Sequence, residues 1–259
     1  MFKVYIICTT PRSGSTLLCR LLASTGKTGN PDSFYHKPRF MAEWAAEWGL
    51  AKKGGESPVA FDRAYLAGAL EAGRAGTDIF GMRLQYEYLP LLSKTLDQIY
   101  PGFKTDANRF KQAFGDPLYI HLSRSDKVAQ AVSLVRAEQS GLWHLNADGT
   151  DYERVGRAQE PSYDFNRLHR EVIELAKEDQ AWSEWFIDQE IEPYRISYEL
   201  LSERPGDTLQ GVCHALGANP AGIADITPNL AKLSDAINEE WIRRYKSDIS
   251  TAAYSRTNL

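Results

Sequence analysis

The strongest chemical signal in the chain is Thr10-Pro11-Arg12-Ser13-Gly14-Ser15-Thr16. Arg12 is a rigid positive fork that meets an oxyanion with parallel N–H bonds. Ser13, Ser15 and Thr16 add hydroxyl donors, and Gly14 lets the backbone approach a ligand closely. Where such a segment joins a strand to a helix, its N–H groups converge and the helix N-terminus adds partial positive charge. That chemistry is an anion site, with a phosphate as the expected occupant. A capped helix after a tight turn is the plainer alternative. A nucleoside-triphosphatase loop, G-x-x-x-x-G-K-[ST], does not fit: with Gly14 as its second glycine, Ser15 stands where lysine should be, and no first glycine exists. A cysteine phosphatase needs C-x5-R, but only three residues separate Cys8 from Arg12.

Arg124 is a second cationic position, directly after the apolar run Leu118–Leu122, and Ser133 lies within the following segment. Arg124 on its own could be half of a surface ion pair, and a mid-helix Ser133 could bond its own i−4 carbonyl. Read together with the first loop, they place two anion sites on one edge, which suits a nucleoside with phosphates at both ends. One apolar run ends in Arg83-Leu84 and another in Ser123-Arg124, so cations stand where a magnesium-binding Asp would be. A metal-free anion site is therefore favoured over a magnesium–triphosphate site.

The elements that must position these residues follow from the hydrophobic pattern. Strands are predicted at Val4–Cys8, Ile79–Leu84, Leu118–Leu122 and Tyr194–Tyr198. Helices are predicted at 15–24, 40–50, 61–75, 89–100, 128–138, 164–189, 208–216 and 235–247, with Ser123-Arg124-Ser125-Asp126 as an N-cap signature. Residues 51–58 read as a loop, and 143–161 as a polar, irregular, mobile one. Strands alternating with helices predict an α/β fold: a three-layer parallel sheet flanked by helices, with ligands at the strands' carboxyl ends. The chain is expected to be one domain over 1–259, with a helical insertion at about 34–75. Trp44 and Trp48 lie in that insertion, where core packing competes with stacking on a sugar.

Composition removes whole classes. The 259 residues are 43% hydrophobic and 25% charged, which excludes disorder, collagen and coiled coil. Thirty basic against 34 acidic residues give a net charge of −4, against a broad nucleic-acid footprint. The charge-free run Val4–Pro11 is far short of the ~20 apolar residues of a membrane span. No signal-peptide cleavage pattern follows it, so a cytoplasmic protein is expected. Three cysteines without C-x-x-C spacing fit a reducing compartment, and the five histidines show no metal-ligand spacing.

The ordered set of motifs resembles the bacterial trehalose 2-sulfotransferase-like (Stf-type) family. It comprises Arg12-Ser13-Gly14-Ser15-Thr16-Leu17-Leu18, Gly29-x-Pro31-x-x-Phe34, Gly81-x-Arg83-Leu84, His121-x-x-Arg124-x-Asp126, Gln130-Ala131-Val132-Ser133, Trp182-x-x-Trp185-Phe186, Glu192-Pro193 and Glu240-Trp241-x-x-Arg244-Tyr245. The resemblance implies a P-loop-like sulfotransferase fold, a homodimer, and metal-independent transfer of a sulfuryl group from 3′-phosphoadenosine 5′-phosphosulfate (PAPS) to a hydroxyl, often on a sugar. It implies that Arg12, Ser13, Gly14, Ser15 and Thr16 hold the 5′-phosphosulfate, Arg12 also serving catalysis, and that Arg124 and Ser133 hold the 3′-phosphate. Arg83 and Ser33 fall at the acceptor side. The family's glutamate, proposed as general base, is replaced here by Ser33. Asp32 and His36 are the neighbours able to substitute for it, though Asp32 is also a good turn residue and His36 an ordinary loop histidine. A magnesium-dependent kinase and a non-catalytic nucleotide-binding relative are the competing expectations.

Overall fold

The run Val4-Tyr5-Ile6-Ile7-Cys8 has no apolar–polar alternation, so the strand it forms must be covered on both faces. The computed structural model, which describes residues 2–50, 57–146, 148–156, 159–218, 230–231 and 235–257, meets that requirement. β1 (Val4–Thr9) is buried along its whole length. Val4, Ile6 and Cys8 enter one apolar core, and Tyr5 and Ile7 enter another on the opposite face.

After β1 come α1 (Ser15–Ser24), α2 (Pro38–Glu47), α3 (Pro58–Arg74) and β2 (Phe80–Gln85). A 3-10 turn at Tyr86–Tyr88 leads into α4 (Leu89–Ile99), α5 (Asp106–Phe114), β3 (Pro117–Ser123) and α6 (Lys127–Ser140). Then follow β4 (Leu142–Asn146), β5 (Asp151–Arg154), α7 (Phe165–Asp188), β6 (Tyr194–Ser197), α8 (Tyr198–Glu203) and α9 (Pro205–Leu216). β7 (Leu230–Ala231) and α10 (Ala236–Thr257) complete the order.

The main sheet is parallel, in the order β2-β1-β3-β6, with Ile7 opposite Arg83 on one side and Ile120 on the other. Helices α1 and α9 cover one face through Leu18, Leu22, Val212 and Leu216. Helices α3, α4, α5 and α7 cover the other through Tyr65, Leu96, Phe110 and Trp182. The expected three-layer α/β architecture is thus present. A third apolar cluster joins α6, α7 and α10 through Val132, Val135, Leu168, Leu175 and Trp241. The chain leaves β1 for β2 on one side and later returns to β3 on the other. The loop after β1 therefore sits at the switch point, where such sheets open a crevice for ligands.

The four expected strands appear as β1, β2, β3 and β6, except that Tyr198 opens α8 instead of ending β6. α5 was not expected; Thr105 starts it by accepting the Asn108 N–H at 3.3 Å. Of the expected loop at 51–58, residues 51–56 lie outside those described. The polar stretch 143–161 is a correction. Its first part is not irregular: β4 and β5 form an antiparallel hairpin, and β7 pairs with β4 on the other side, while 147, 157 and 158 lie outside the described residues. β5 is exposed along its whole length. Its side chains therefore show no buried stripe, and backbone pairing defines it. Among the described residues, no helix is long and apolar enough to cross a membrane.

Candidate functional site

The β1–α1 loop is bent by two residues in the left-handed region, Arg12 at φ 59° and Gly14 at φ 87°. Gly14 starts α1, and a Cβ there would come within 2.6 Å of the Tyr198 ring. For Arg12, whose side chain gains nothing from that backbone, the conformation costs about 1–3 kcal/mol and must be imposed by neighbours. Those neighbours are visible. Gln130 on α6, fully buried, donates from Nε2 to Thr10 Oγ1 at 2.9 Å and to the Pro11 carbonyl at 2.6 Å. Trp182 Nε1 donates to the Thr9 carbonyl at 2.8 Å. Thr9 Oγ1 donates to the Leu122 carbonyl at 2.8 Å and lies 2.5 Å from Ser13 Oγ. With the Thr9 proton so committed, Ser13 is the donor in that pair. Its hydroxyl points inward, leaving its backbone N–H as the group it can offer a ligand.

Arg12, Arg124 and Ser133 come together, which settles the open question of whether Ser133 faces the loop. Arg12 donates from Nε to Ser133 Oγ at 3.0 Å and from Nη1 to the Trp143 carbonyl at 2.7 Å. Ser133 thus receives Arg12 instead of bonding within its own helix. Arg124 Nη1 donates to the Arg12 carbonyl at 3.3 Å, its guanidinium lies 4.3 Å over the Tyr198 ring, and its buried Nε has no partner among the described residues. The turn carrying Arg124 is pinned by Glu199, which accepts the Ser125 N–H at 3.0 Å, and Asp126 caps α6 through the Ala129 N–H at 2.8 Å. Burial, then the charge of Arg124, push Arg12 down to about 10. Burial lowers Arg124 as well. Half-buried like charges of this kind are relieved by an anion.

Arg83 projects from β2 into the same region. It donates from Nε to Ser33 Oγ and from Nη1 to Thr16 Oγ1, both at 2.8 Å, and lies 3.4 Å from Asp32 Oδ1. Burial opposes its charge, but Cys19, Asp32 and Glu153 outweigh burial and raise its pKa. Thr16 Oγ1 also meets His144 Nε2 at 3.0 Å. Arg12 Nη1, which can only donate, faces the same nitrogen at 3.5 Å, so Nε2 is the acceptor, the Thr16 hydroxyl donates to it, and the imidazole carries its own proton on Nδ1. The ring is held neutral: burial, then Arg12, lower it to about 3.

Asp32 Oδ1 accepts the Ser33 N–H at 2.6 Å. His36 is wedged against the rings of Tyr88 at 4.3 Å and Phe40 at 4.9 Å, and burial, then Arg83, lower it to about 4. It is not the solvated loop histidine of the plainer reading. Trp44 and Trp48 stack at 5.5 Å and pack with Phe34 in the core, although Trp44 also borders the cleft. Cys8 lies inside β1 with its thiol pushed up by burial, so it is no phosphatase nucleophile.

Arg12, Gly14, Ser15, Thr16, Asp32, Ser33, His36, Arg83, Arg124 and Ser133 all line one cleft of about 1050 Å³. That exceeds a single small-ligand pocket of roughly 300–1,000 Å³ and leaves room for two reactants. Five residues at the site were not read as site residues from the sequence. Gln130, Trp182 and Tyr198 act through long-range contacts, the first two standing inside motifs already noted. His144 and Glu153 sit on the unexpected hairpin.

The profile of the Stf0 sulphotransferase family matches residues 4–248. A trehalose 2-sulfotransferase of Mycolicibacterium smegmatis is 27% identical over 94% of this chain and 94% of its own length. One of Mycobacterium tuberculosis is 27% identical over 95% of each. A crystal structure of a sulfotransferase from Alicyclobacillus acidocaldarius superposes with a TM-score of 0.44 at 13% identity, covering 96% of this chain and 93% of that one. With 4–248 matched, the chain belongs to the Stf0 sulphotransferase family.

Proposed function

We propose that this sulfotransferase moves a sulfuryl group from PAPS to a hydroxyl of a small carbohydrate, without a metal, and that the whole chain works as one domain. The observation that carries this reading is the pair of half-buried arginines, Arg12 and Arg124, joined by the bond from Arg124 Nη1 to the Arg12 carbonyl; desolvation lowers both, and the charge of Arg124 lowers Arg12 further. The buried Arg124 Nε, without a partner among the described residues, supports a phosphate oxygen as its complement. A donor with phosphate groups at both ends of a nucleoside supplies anions to both arginines. The names of the two curated relatives support a sugar acceptor.

In this reading the acceptor oxygen attacks sulfur opposite the 5′-phosphate oxygen. The new O–S bond forms as the old one breaks, and adenosine 3′,5′-bisphosphate leaves. Catalysis rests on positioning and on stabilising the charge that grows on the leaving oxygen. Arg12 and the N–H groups of residues 13–16 form the preorganised cradle for that charge. Arg124 and Ser133 take the 3′-phosphate. Arg83, fixed by Ser33 and Thr16, stands between the cradle and the acceptor side, where Asp32 and His36 also lie.

The test is transfer of labelled sulfuryl from PAPS to a sugar panel that includes trehalose, in the presence of a chelator. A labelled sugar is expected. A chain that binds adenosine 3′,5′-bisphosphate yet labels no sugar would be a non-catalytic relative.

A further inference from the structure

Transfer to a hydroxyl releases a proton, and the position where the resemblance implies a carboxylate holds Ser33. The Ser33 hydroxyl already accepts from Arg83 Nε. Asp32 Oδ1 is engaged by the Ser33 N–H and by Arg83. His36, lowered to about 4, is a weak base.

Glu153 is placed differently. It lies on β5 in register with His144 on β4 and borders the same cleft as Thr16, Ser33 and Arg83. Its Oε2 is 3.7 Å from His144 Nε2, the nitrogen that receives the Thr16 hydroxyl. Among the described residues no hydrogen bond holds its carboxylate, so both oxygens remain able to accept. The charges facing it are Arg83 from β2, Arg12 from the β1–α1 loop and Asp32 from the segment before β2, with the neutral His144 beside it. Although half-exposed, the carboxylate loses enough water at the cleft wall to raise its pKa, with Asp32 adding to the rise and the two arginines opposing it. A raised carboxylate is a stronger base. Glu178, pushed up to about 7, is the other raised carboxylate of the cleft, but burial and the carboxylates Glu87, Glu174 and Glu171 account for its rise. No arginine is among the described charges that shift it, so nothing ties it to the reacting centre as Arg83 and Arg12 tie Glu153.

We infer that Glu153 is the general base of the transfer, supplied by the β4–β5 hairpin in place of the carboxylate missing at Ser33. The acceptor hydroxyl proton passes to a Glu153 oxygen as the acceptor oxygen bonds sulfur. The bond from sulfur to the 5′-phosphate oxygen breaks, and its electron pair leaves with adenosine 3′,5′-bisphosphate. This assignment rests on the donor reading above. Arg83 then has two functions: it orients the acceptor side, and its charge opposes the rise in the Glu153 pKa.

The experiment compares wild type with Glu153→Gln, an isosteric change on an exposed strand. It follows labelled sulfuryl transfer from PAPS to trehalose and to water, and bisphosphate affinity by calorimetry. The expected result is a kcat loss of about 10²–10⁴-fold for both acceptors with bisphosphate Kd unchanged within about threefold. The wild-type rise of kcat with pH on the acid side should vanish in the variant. Glu153→Ala should regain rate with added formate, a rescue that a structural role would not give. A Glu153→Gln kcat within about threefold of wild type, with the acid limb intact, overturns the inference. So does a wild type that binds bisphosphate and transfers to neither acceptor. A wild type that fails to bind bisphosphate contradicts the donor reading instead.

Discussion

Arg12 Nε donates to Ser133 Oγ across 3.0 Å, which ties the loop after β1 to the middle of α6. The two positions predicted to grip opposite ends of a nucleotide are therefore in contact before it arrives. Arg124 adds its own bond to the Arg12 carbonyl. The positive charge is concentrated by α6 and the turn before it, which makes α6 as important to the site as the loop itself.

Arg12→Ala is expected to lose on the order of 10²-fold or more in turnover, the scale for removing a preorganised donor to developing charge. Arg12→Lys keeps the charge but not the fork, and should recover only part of that loss. Steady-state rates at saturating PAPS and acceptor provide the check. Near-normal turnover in the alanine variant would take Arg12 out of the mechanism.

Gln130→Ala removes both bonds that hold Thr10 and Pro11 and leaves their oxygens buried. Lys127 fixes Gln130 through Oε1 at 3.4 Å, and Asp179 fixes Lys127 at 2.8 Å. A destabilisation of about 1–3 kcal/mol is expected in urea melts, with weaker bisphosphate binding. Unchanged stability and affinity would mean that the loop holds its shape without α6.

Gly14→Ala should be destabilising for two separable reasons. The backbone at φ 87° resists a side chain by about 1–2 kcal/mol, and the new Cβ meets the Tyr198 ring at 2.6 Å. Pairing it with Tyr198→Ala should return the steric part only. A double variant no better than the sum of the single ones would rule out the clash.

His144 and His36 predict an acid-side instability. Burial, reinforced by Arg12 for His144 and by Arg83 for His36, lowers them from 6.5 to about 3 and about 4. Below 6.5 the unfolded chain binds protons that the folded chain refuses, so stability is full above that value and falls as pH drops toward the lowered ones. His144→Gln removes one of the two contributions. The fall in Tm between pH 7 and pH 5 should be smaller in that variant than in wild type. An equal fall would remove His144 from the pH response.

Legibility in the sequence followed the physics of each part. β1 and its loop could be read because a strand buried on both faces is a plain apolar run, and because a Gly/Ser-rich bend carrying an arginine has few other uses. Arg124 followed from a strand end and an N-cap signature, while Ser133 was given its role only by the resemblance; both reach the cleft. Ser13 was expected to offer a hydroxyl to the ligand, but that hydroxyl turns inward to Thr9, a bond that depends on Thr9 and Leu122 and that no local pattern reports. The hairpin carrying His144 and Glu153 was not legible. An exposed strand such as β5 needs no alternating pattern, and its pairing partners are set by backbone geometry. Gln130 and Trp182 hold the loop with single polar atoms on otherwise buried helix faces, and periodicity reports only those faces.

The most direct measurement is a thermal-shift titration with adenosine 3′,5′-bisphosphate in the presence of EDTA, on wild type, Arg12→Ala and Arg124→Ala. Saturable stabilisation of the wild type is predicted, strongly reduced in both variants, because a ligand that binds only the folded state raises Tm by mass action. No shift with the bisphosphate, or stabilisation only by magnesium-ATP, would contradict the account.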